Sequence, residues 1–373
     1  MNLEKIYAKA LNKEFLTLEE GLFLYEKAPV SDLIFIGNEI RKKNQPEKNR
    51  NKVGWIIDRN VNITNVCIAQ CEFCNFYRKP NAADIYITTL KEYDEKIKVL
   101  KKLGGNQLLM QGGLHPKLDL EYYKKLFSDI KKIHPDIKLH ALGPAEIHHI
   151  ARISKTNYRE VLIQLTESGL NSLPGAGAEI LVDRVRKTVS RGKCTSQQWL
   201  DVMREAHKLN IITSATMMFG HIETHRERIE HFIKLREVQA EKPDYSEGFT
   251  TFIPWPFQDE NTELNKKSGI ENTVTADEYL RTFATARIMM PNIKNMQASW
   301  LTVGKTAGQL TLHGGANDFG SIMIEENVVS VAGADHSFNA EQIQAAIKEA
   351  GFTPVFRNQA YEYTETPDIN PTL

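Results

Sequence analysis

Cysteine is scarce in this chain, with four in 373 residues. That argues against a disulfide-stapled secreted scaffold, which needs many cysteines in a short length. Charge of one sign is also missing. Lys+Arg and Asp+Glu number 47 each, so no surplus field draws the chain to nucleic acid or to an anionic membrane. No apolar run approaches the ~18–20 residues that cross a bilayer. The charged opening MNLEKIYAKALNKEF has no apolar segment of the secretory kind. No low-complexity tract and no fixed-period repeat occurs. Together with labile thiols, these absences point to the reducing cytoplasm, and to small molecules rather than nucleic acid or membrane as partners. The oligomeric state is not legible in the sequence.

The few cysteines lie together. Cys67, Cys71 and Cys74 have the spacing Cys-x3-Cys-x2-Cys, with Phe73 directly before the last. Three thiolates on a short loop are soft ligands suited to iron. A [4Fe-4S] cubane has four corners, so three cysteines leave one iron open to an outside ligand. A structural zinc knuckle usually closes with four ligands, commonly two Cys-x2-Cys pairs; here only Cys194 or a distant histidine is left. A thioredoxin-type Cys-x2-Cys pair leaves Cys67 without a role.

Around this loop the pattern alternates. Residues 1–50 read as polar, amphipathic helices interrupted at Pro29, an N-terminal helical cap. From Gly54 onward short apolar strands alternate with longer helices. Strands are expected at 61–64, 107–111, 138–141, 172–174, 213–219, 249–254, 295–300 and 321–324. Helices are expected at 90–103, 120–133, 158–168, 196–209, 226–239 and 339–351. Such alternation is the mark of an α/β fold with a parallel sheet, and up to eight units imply a complete or nearly complete (β/α)8 TIM-type barrel. The expected division is a cap over 1–50, a barrel over 51–350 with a cluster loop at 61–78, and a C-terminal extension over 351–373.

In barrels of this kind, ligand-binding residues gather at the carboxyl ends of strands, which directs the search. Gln111, Gly112 and Gly113 follow the second strand, where glycine permits close approach of backbone to a ligand; an ordinary turn is the plainer alternative. His115 follows them, and His140 ends the third strand; each is a substrate contact or a hydrogen-bonded structural histidine. Glu179, after the Gly175–Gly177 loop, is placed to bond a hydroxyl or an ammonium, or simply to cap a helix. Arg184, Arg186, Arg191 and Lys193 follow, any of which can pair with a carboxylate. Gly220 and Glu223 close the fifth strand. Trp255 and Phe257, interleaved with prolines, suggest an exposed rigid wall suited to a flat aryl group. Asn317 and Asp318 stand beside glycine in a ligand loop or a plain turn. Cys194 is isolated.

The cysteine loop resembles that of the radical S-adenosylmethionine (SAM) superfamily. The resemblance implies that SAM chelates the open iron and is cleaved reductively to a 5′-deoxyadenosyl radical. It further implies that Gln111–Gly113 meets the methionine amino group and that the Gly220–Glu223 element packs against adenine, with Phe73 and Glu179 also near the cofactor. More narrowly, DRNVNITNVC, QGGLHP, SLPGAGAEILVDRVR, ATMMFGHIET, FIPWPFQ, QASW and GANDFGSIMIEENVV are similar to the futalosine-pathway radical cyclases of menaquinone biosynthesis. Aminofutalosine synthase and deazaflavin synthase subunits are related alternatives, and a barrel with a structural metal knuckle is the non-enzyme alternative. The closer resemblance implies an oxidoreductase holding a [4Fe-4S] cluster on Cys67, Cys71 and Cys74. It implies hydrogen abstraction from the ribose C4′ of dehypoxanthine futalosine, addition to the benzoate ring, and an electron donor such as flavodoxin or ferredoxin. Such a substrate needs cationic and polar partners, for which Arg184 and Asn317 are candidates, and an apolar wall for its ring, for which Trp255 and Phe257 are candidates. His115, His140 and Asp318 are the candidates for a catalytic role.

Overall fold

The computed structural model describes residues 1–367 except 326, 328, 329 and 335. Three positions of the Gly315–Val329 motif and the last six of the expected C-terminal extension therefore lie outside the described residues. Strands β1 (Lys52–Ile56) and β2 (Asp58–Asn60) are followed by β3 (Gln107–Met110), β4 (Lys138–Ala141), β5 (Leu170–Leu173), β6 (Ile212–Phe219), β7 (Phe249–Pro256), β8 (Asn295–Met296) and β9 (Asp318–Ser321). Strand β10 (Thr353–Arg357) and the short β11 (Tyr363–Thr364) complete the set. Strands β2 to β8 form one parallel sheet in chain order, and β1 lies between β9 and β10 in a second. Single bridges, Gln297 to Asp318 and Arg59 to Ile324, join β9 to both ends of the larger sheet. The result is a closed eight-position barrel in which β1 and β2 share one position.

Helices of the outer ring form where apolar residues recur at helical spacing. The helix Leu120–Ile133 buries Leu120, Tyr123, Leu126, Phe127 and Ile130. Its start is set by Asp119, whose side chain accepts from the Tyr122 amide. Leu90–Lys102, Ser196–Lys208 and His225–Glu241 each begin with a capping box at Thr89, Thr195 and Thr224. The helices Leu3–Leu11, Leu18–Lys27 and Val30–Asn44 pack on the barrel's flank. Tyr25 donates to Glu278 at 2.8 Å, and Arg281 donates to the Tyr25 and Ala28 carbonyls.

Four expectations change. The first strand begins earlier, at Lys52; 61–64 continues its ladder, with the Val61 and Ile63 amides donating to the Leu109 and Gln111 carbonyls. The seventh expected strand, 295–300, is strand only to Met296, because the helix Trp300–His313 starts soon after, and the eighth, expected at 321–324, lies earlier, at Asp318–Ser321. Strand β7 runs through Pro254 and Pro256 rather than turning into an exposed loop. Within β7, Phe252 accepts from Gln297 across β8, while Phe257 donates to Phe219 across β6. Residues 254 and 256 therefore face the β8 side, and β8 has already ended there. A missing proline N–H costs nothing at that edge.

Three histidines are buried neutral within this frame. Burial pushes His140, His207 and His231 each down to about 3. As pH falls below about 6.5 the unfolded chain takes up protons at these sites and the folded chain does not, so stability declines. Each histidine contributes about 1.4 kcal/mol per pH unit over that window. Urea unfolding between pH 6.5 and 5 should show His207→Gln flattening the decline by about that amount; an unchanged slope would contradict the assignment.

Candidate active site

The barrel encloses a cavity of about 350 Å³ that opens at the carboxyl ends of the strands. Cys67, Cys71 and Cys74 all line it, with Phe73, Gln111, Gly112, Gly113, His140, Glu179 and Trp255. The cysteine loop follows directly on β2 and is stitched down by the backbone. The Cys67 amide donates to the Arg78 carbonyl, and the Cys74 amide to the Cys71 carbonyl. The Gly113 turn lies against the loop so closely that a Cβ there would overlap the Val66 carbonyl. This approach lets the Leu114 amide donate to Cys67 Sγ at 3.2 Å, and the Ala69 amide adds a second donor at 3.4 Å.

The donor set fits a [4Fe-4S] cluster. Burial pushes the Cys71 thiol up to about 12 and raises Cys74 as well. Thiols held this way keep their protons until a cation replaces them, and amide donors to sulfur then support the ligated thiolate. Among the described residues no three His, Cys, Asp or Glu side chains close on a single-ion point. The thiols share one cavity wall instead.

Beside them the partly buried Lys193 donates to the buried Glu179 at 2.6 Å, and Lys193 Nζ stands 5.1 Å from the Phe73 ring centre. Burial would raise the Glu179 carboxyl, but Lys193 and Arg186 more than offset it and hold it below its usual range. Glu146, at the start of the helix Pro144–Ile153, accepts from the Gly112 amide at 3.0 Å; burial pushes it up to about 8. Carboxyl and ammonium groups thus stand beside the cysteines in one cavity, a set complementary to a ligand that bears both an ammonium and a carboxylate.

The other sequence candidates lie elsewhere. Arg184 is turned outward and pairs with Glu227 at 2.6 Å; of the four basic residues after Glu179, Lys193 reaches the cavity. Asn317 is locked in the barrel wall, where its side-chain oxygen accepts from the Met296 amide and Arg287. Asp318 is fully buried and held by Arg357 Nε at 2.5 Å and Nη2 at 2.8 Å. Phe257 is core, edge-on to His221. His115 bonds within its own loop, to the Lys117 amide, and its carbonyl accepts from His149. Glu223 accepts from the Gly220 and His221 amides and from Arg228 at 2.8 Å, behind the cavity wall. Cys194 is buried, and its carbonyl accepts from Arg186.

Residues that sequence reasoning passed over supply the rest of the lining. Asp58 and Asn60 on β2 and Asn62 just beyond it, Ser214 and Thr216 on β6, and Thr251 on β7 line the cavity. Their period of two was the available signal. Arg357, Gln359 and Tyr361 also line the cavity, and nothing local to the C-terminal segment announces this.

Fold and cysteine loop together define a radical SAM protein. Residues 61–235 match the radical SAM superfamily, and residues 246–370 match the CofH/MqnC C-terminal region. A methylornithine synthase structure covers 95% of this chain and 98% of its own, with a TM-score of 0.71 at 18% identity, which speaks to the fold alone. Among relatives, a cyclic dehypoxanthine futalosine synthase of Halalkalibacterium halodurans is 41% identical over 98% of this chain and 96% of its own length. A 5-amino-6-(D-ribitylamino)uracil–L-tyrosine 4-hydroxyphenyl transferase of Methanopyrus kandleri is 39% identical over 83% of this chain and 84% of its own. The chain belongs to the cyclic dehypoxanthine futalosine synthase family of radical SAM enzymes.

The Arg357–Asp318 pair is fully buried, so removing one partner strands the other. Arg357→Leu should lower stability by about 3–5 kcal/mol, measured as the shift in urea midpoint at constant slope. A change below about 1 kcal/mol would mean that the pair is not closed in solution.

Proposed function

We propose that the protein is the cyclase that converts dehypoxanthine futalosine to its cyclic dehypoxanthinyl product on the futalosine route to menaquinone. What supports this most is the 41% identity to such a synthase across nearly the whole chain. Cys67, Cys71 and Cys74 would hold a [4Fe-4S] cluster with SAM at its open iron, which would supply hydrogen-abstraction chemistry at the ribose C4′; overall the substrate would lose two hydrogens on ring closure to the benzoate, one to 5′-deoxyadenosine and one as a proton and an electron. The electron comes from a low-potential donor of the flavodoxin or ferredoxin kind.

The chain's own residues have distinct tasks. Cys67, Cys71 and Cys74 hold the cluster. Lys193, Glu179 and Glu146 orient the charged methionine end, and Gly112 and Gly113 let backbone approach it. Trp255 and Phe73 wall the cavity with apolar surface and limit water near a reactive carbon centre. His140 stays neutral across the working range because its ring is held down to about 3 by burial and by Arg357. It therefore acts as a hydrogen-bonding group and not as a cation.

Anaerobic reconstitution followed by SAM, reductant and substrate tests the reading. Dehypoxanthine futalosine should be consumed with formation of 5′-deoxyadenosine and a product two hydrogens lighter. In Cys71→Ala both products should disappear while circular dichroism is unchanged, since the cluster loop lies outside the barrel strands. Turnover of L-tyrosine with 5-amino-6-(D-ribitylamino)uracil in place of dehypoxanthine futalosine would favour the transferase reading instead.

A further inference from the structure

The cavity has a second end, inside the barrel below the cysteine loop. Below Trp255 its floor is made by the inward faces of β2, β4 and β7 and by the segment that follows β10. Gln359 reaches across the barrel interior, accepting from Gln107 at 3.2 Å and standing 3.4 Å from His140 Nε2. His140 Nδ1 is fixed by Ser172 Oγ at 2.7 Å. Tyr361 lies over Arg357, whose guanidinium carbon is 4.1 Å from the ring centre.

Three polar atoms on this floor are buried without a hydrogen-bond partner: Asn60 Oδ1, Thr251 Oγ1 and the Tyr361 hydroxyl. All three residues line the cavity. Asn60 is 4% exposed and Thr251 2%. The Thr251 and Tyr361 hydroxyls stand close to one another, and each keeps capacity to bond a ligand in the cavity. A buried polar atom left unpaired is costly. Three of them on one cavity wall suit a polar ligand.

Their chemistry selects the ligand's class. Two hydroxyls both donate and accept, and an amide oxygen only accepts. A carboxylate has no proton to offer Asn60 Oδ1. Nor does the floor hold a surplus cation. Arg357 is closed on Asp318, and Asp58 adds a second carboxyl close by, bonded to Ser321 and Gln107. Neutral hydroxyls satisfy all three atoms at once.

We infer that the barrel floor built from Asn60, Thr251 and Tyr361 is a subsite for the hydroxyl-bearing sugar end of the substrate, with the segment after β10 setting specificity. The inference rests on the functional reading above, which supplies a ribose. The substrate's ring carboxylate then lies away from the floor, toward the mouth.

Tyr361→Phe and Thr251→Val test it, each removing one hydroxyl with little change of shape. In the reconstituted enzyme each should weaken dehypoxanthine futalosine binding about 3- to 10-fold, as expected for one lost hydrogen bond to a neutral group. The visible absorbance of the cluster and substrate-independent SAM cleavage should not move. Melting temperature should stay level or rise, because the hydroxyls are unpaired without ligand; a drop would mark them as structural and overturn the inference. Substrate analogues lacking single ribose hydroxyls give the second arm. One of them should bind wild type and Tyr361→Phe equally, showing that the lost hydroxyl and the lost phenol were partners. If the Tyr361→Phe penalty persists with every deoxy analogue, or vanishes only when the ring carboxylate is removed, the subsite is wrongly assigned. Wild-type enzyme that cleaves SAM but neither binds nor converts dehypoxanthine futalosine would defeat the functional reading and this inference with it. Conversion by wild type with unaffected variants would defeat the inference alone.

Discussion

The ion pair between Arg357 and Asp318 is the constraint on which the interior of this barrel depends. Arg357 ends β10 and Asp318 begins β9, and β1 runs between them. Gly54 sits at that crossing, where a Cβ would press on Asp318 Oδ2 and on the Arg357 side chain. Buried charges are costly unless paired and hydrogen-bonded. Here both oxygens of Asp318 are engaged by the guanidinium, and one also accepts from the Gly320 amide. Because the pair has no comparable alternative, the C-terminal segment is committed to the barrel. Gln359 and Tyr361 are delivered to its floor by the same commitment.

The cavity that results has two ends of opposite character. At the mouth, sulfur, ammonium and carboxylate groups stand together on loops that follow β2, β3 and β5. They suit a charged, soft-ligand cofactor. At the floor, hydroxyl, amide and imidazole groups project from strand interiors and from the chain beyond β10. They suit a neutral polar group. Apolar surface from Phe73, Leu109, Ile253 and Trp255 separates the two.

How much of this was legible varied with the range of the interactions. The cysteine spacing, the Gly112–Gly113 turn and the strand–helix rhythm are local; the helices after the cysteine loop landed within two residues of their place, while the first, seventh and eighth strands did not. Glu179 was legible as a loop carboxylate, but its partner among four nearby basic residues was not. Arg184 and Lys193 differ only in which way the helix Asp183–Val189 and the turn after it direct them. Asn317 and Asp318 look like loop ligands in sequence and are wall and anchor in three dimensions. The prolines of β7 argue for a loop until the shortness of β8 is known.

The sequence by itself determined the cofactor end of this protein. Three thiols within eight residues converge whatever the rest of the chain does, since a short loop has few ways to keep them apart. Only the tertiary structure decided the substrate end. The floor is assembled from residues about 300 positions apart, Asn60 and Tyr361 among them, and their meeting depends on barrel closure and on one buried ion pair rather than on any local pattern. No periodicity or motif encodes a contact of that range; it exists only once the chain has folded around it.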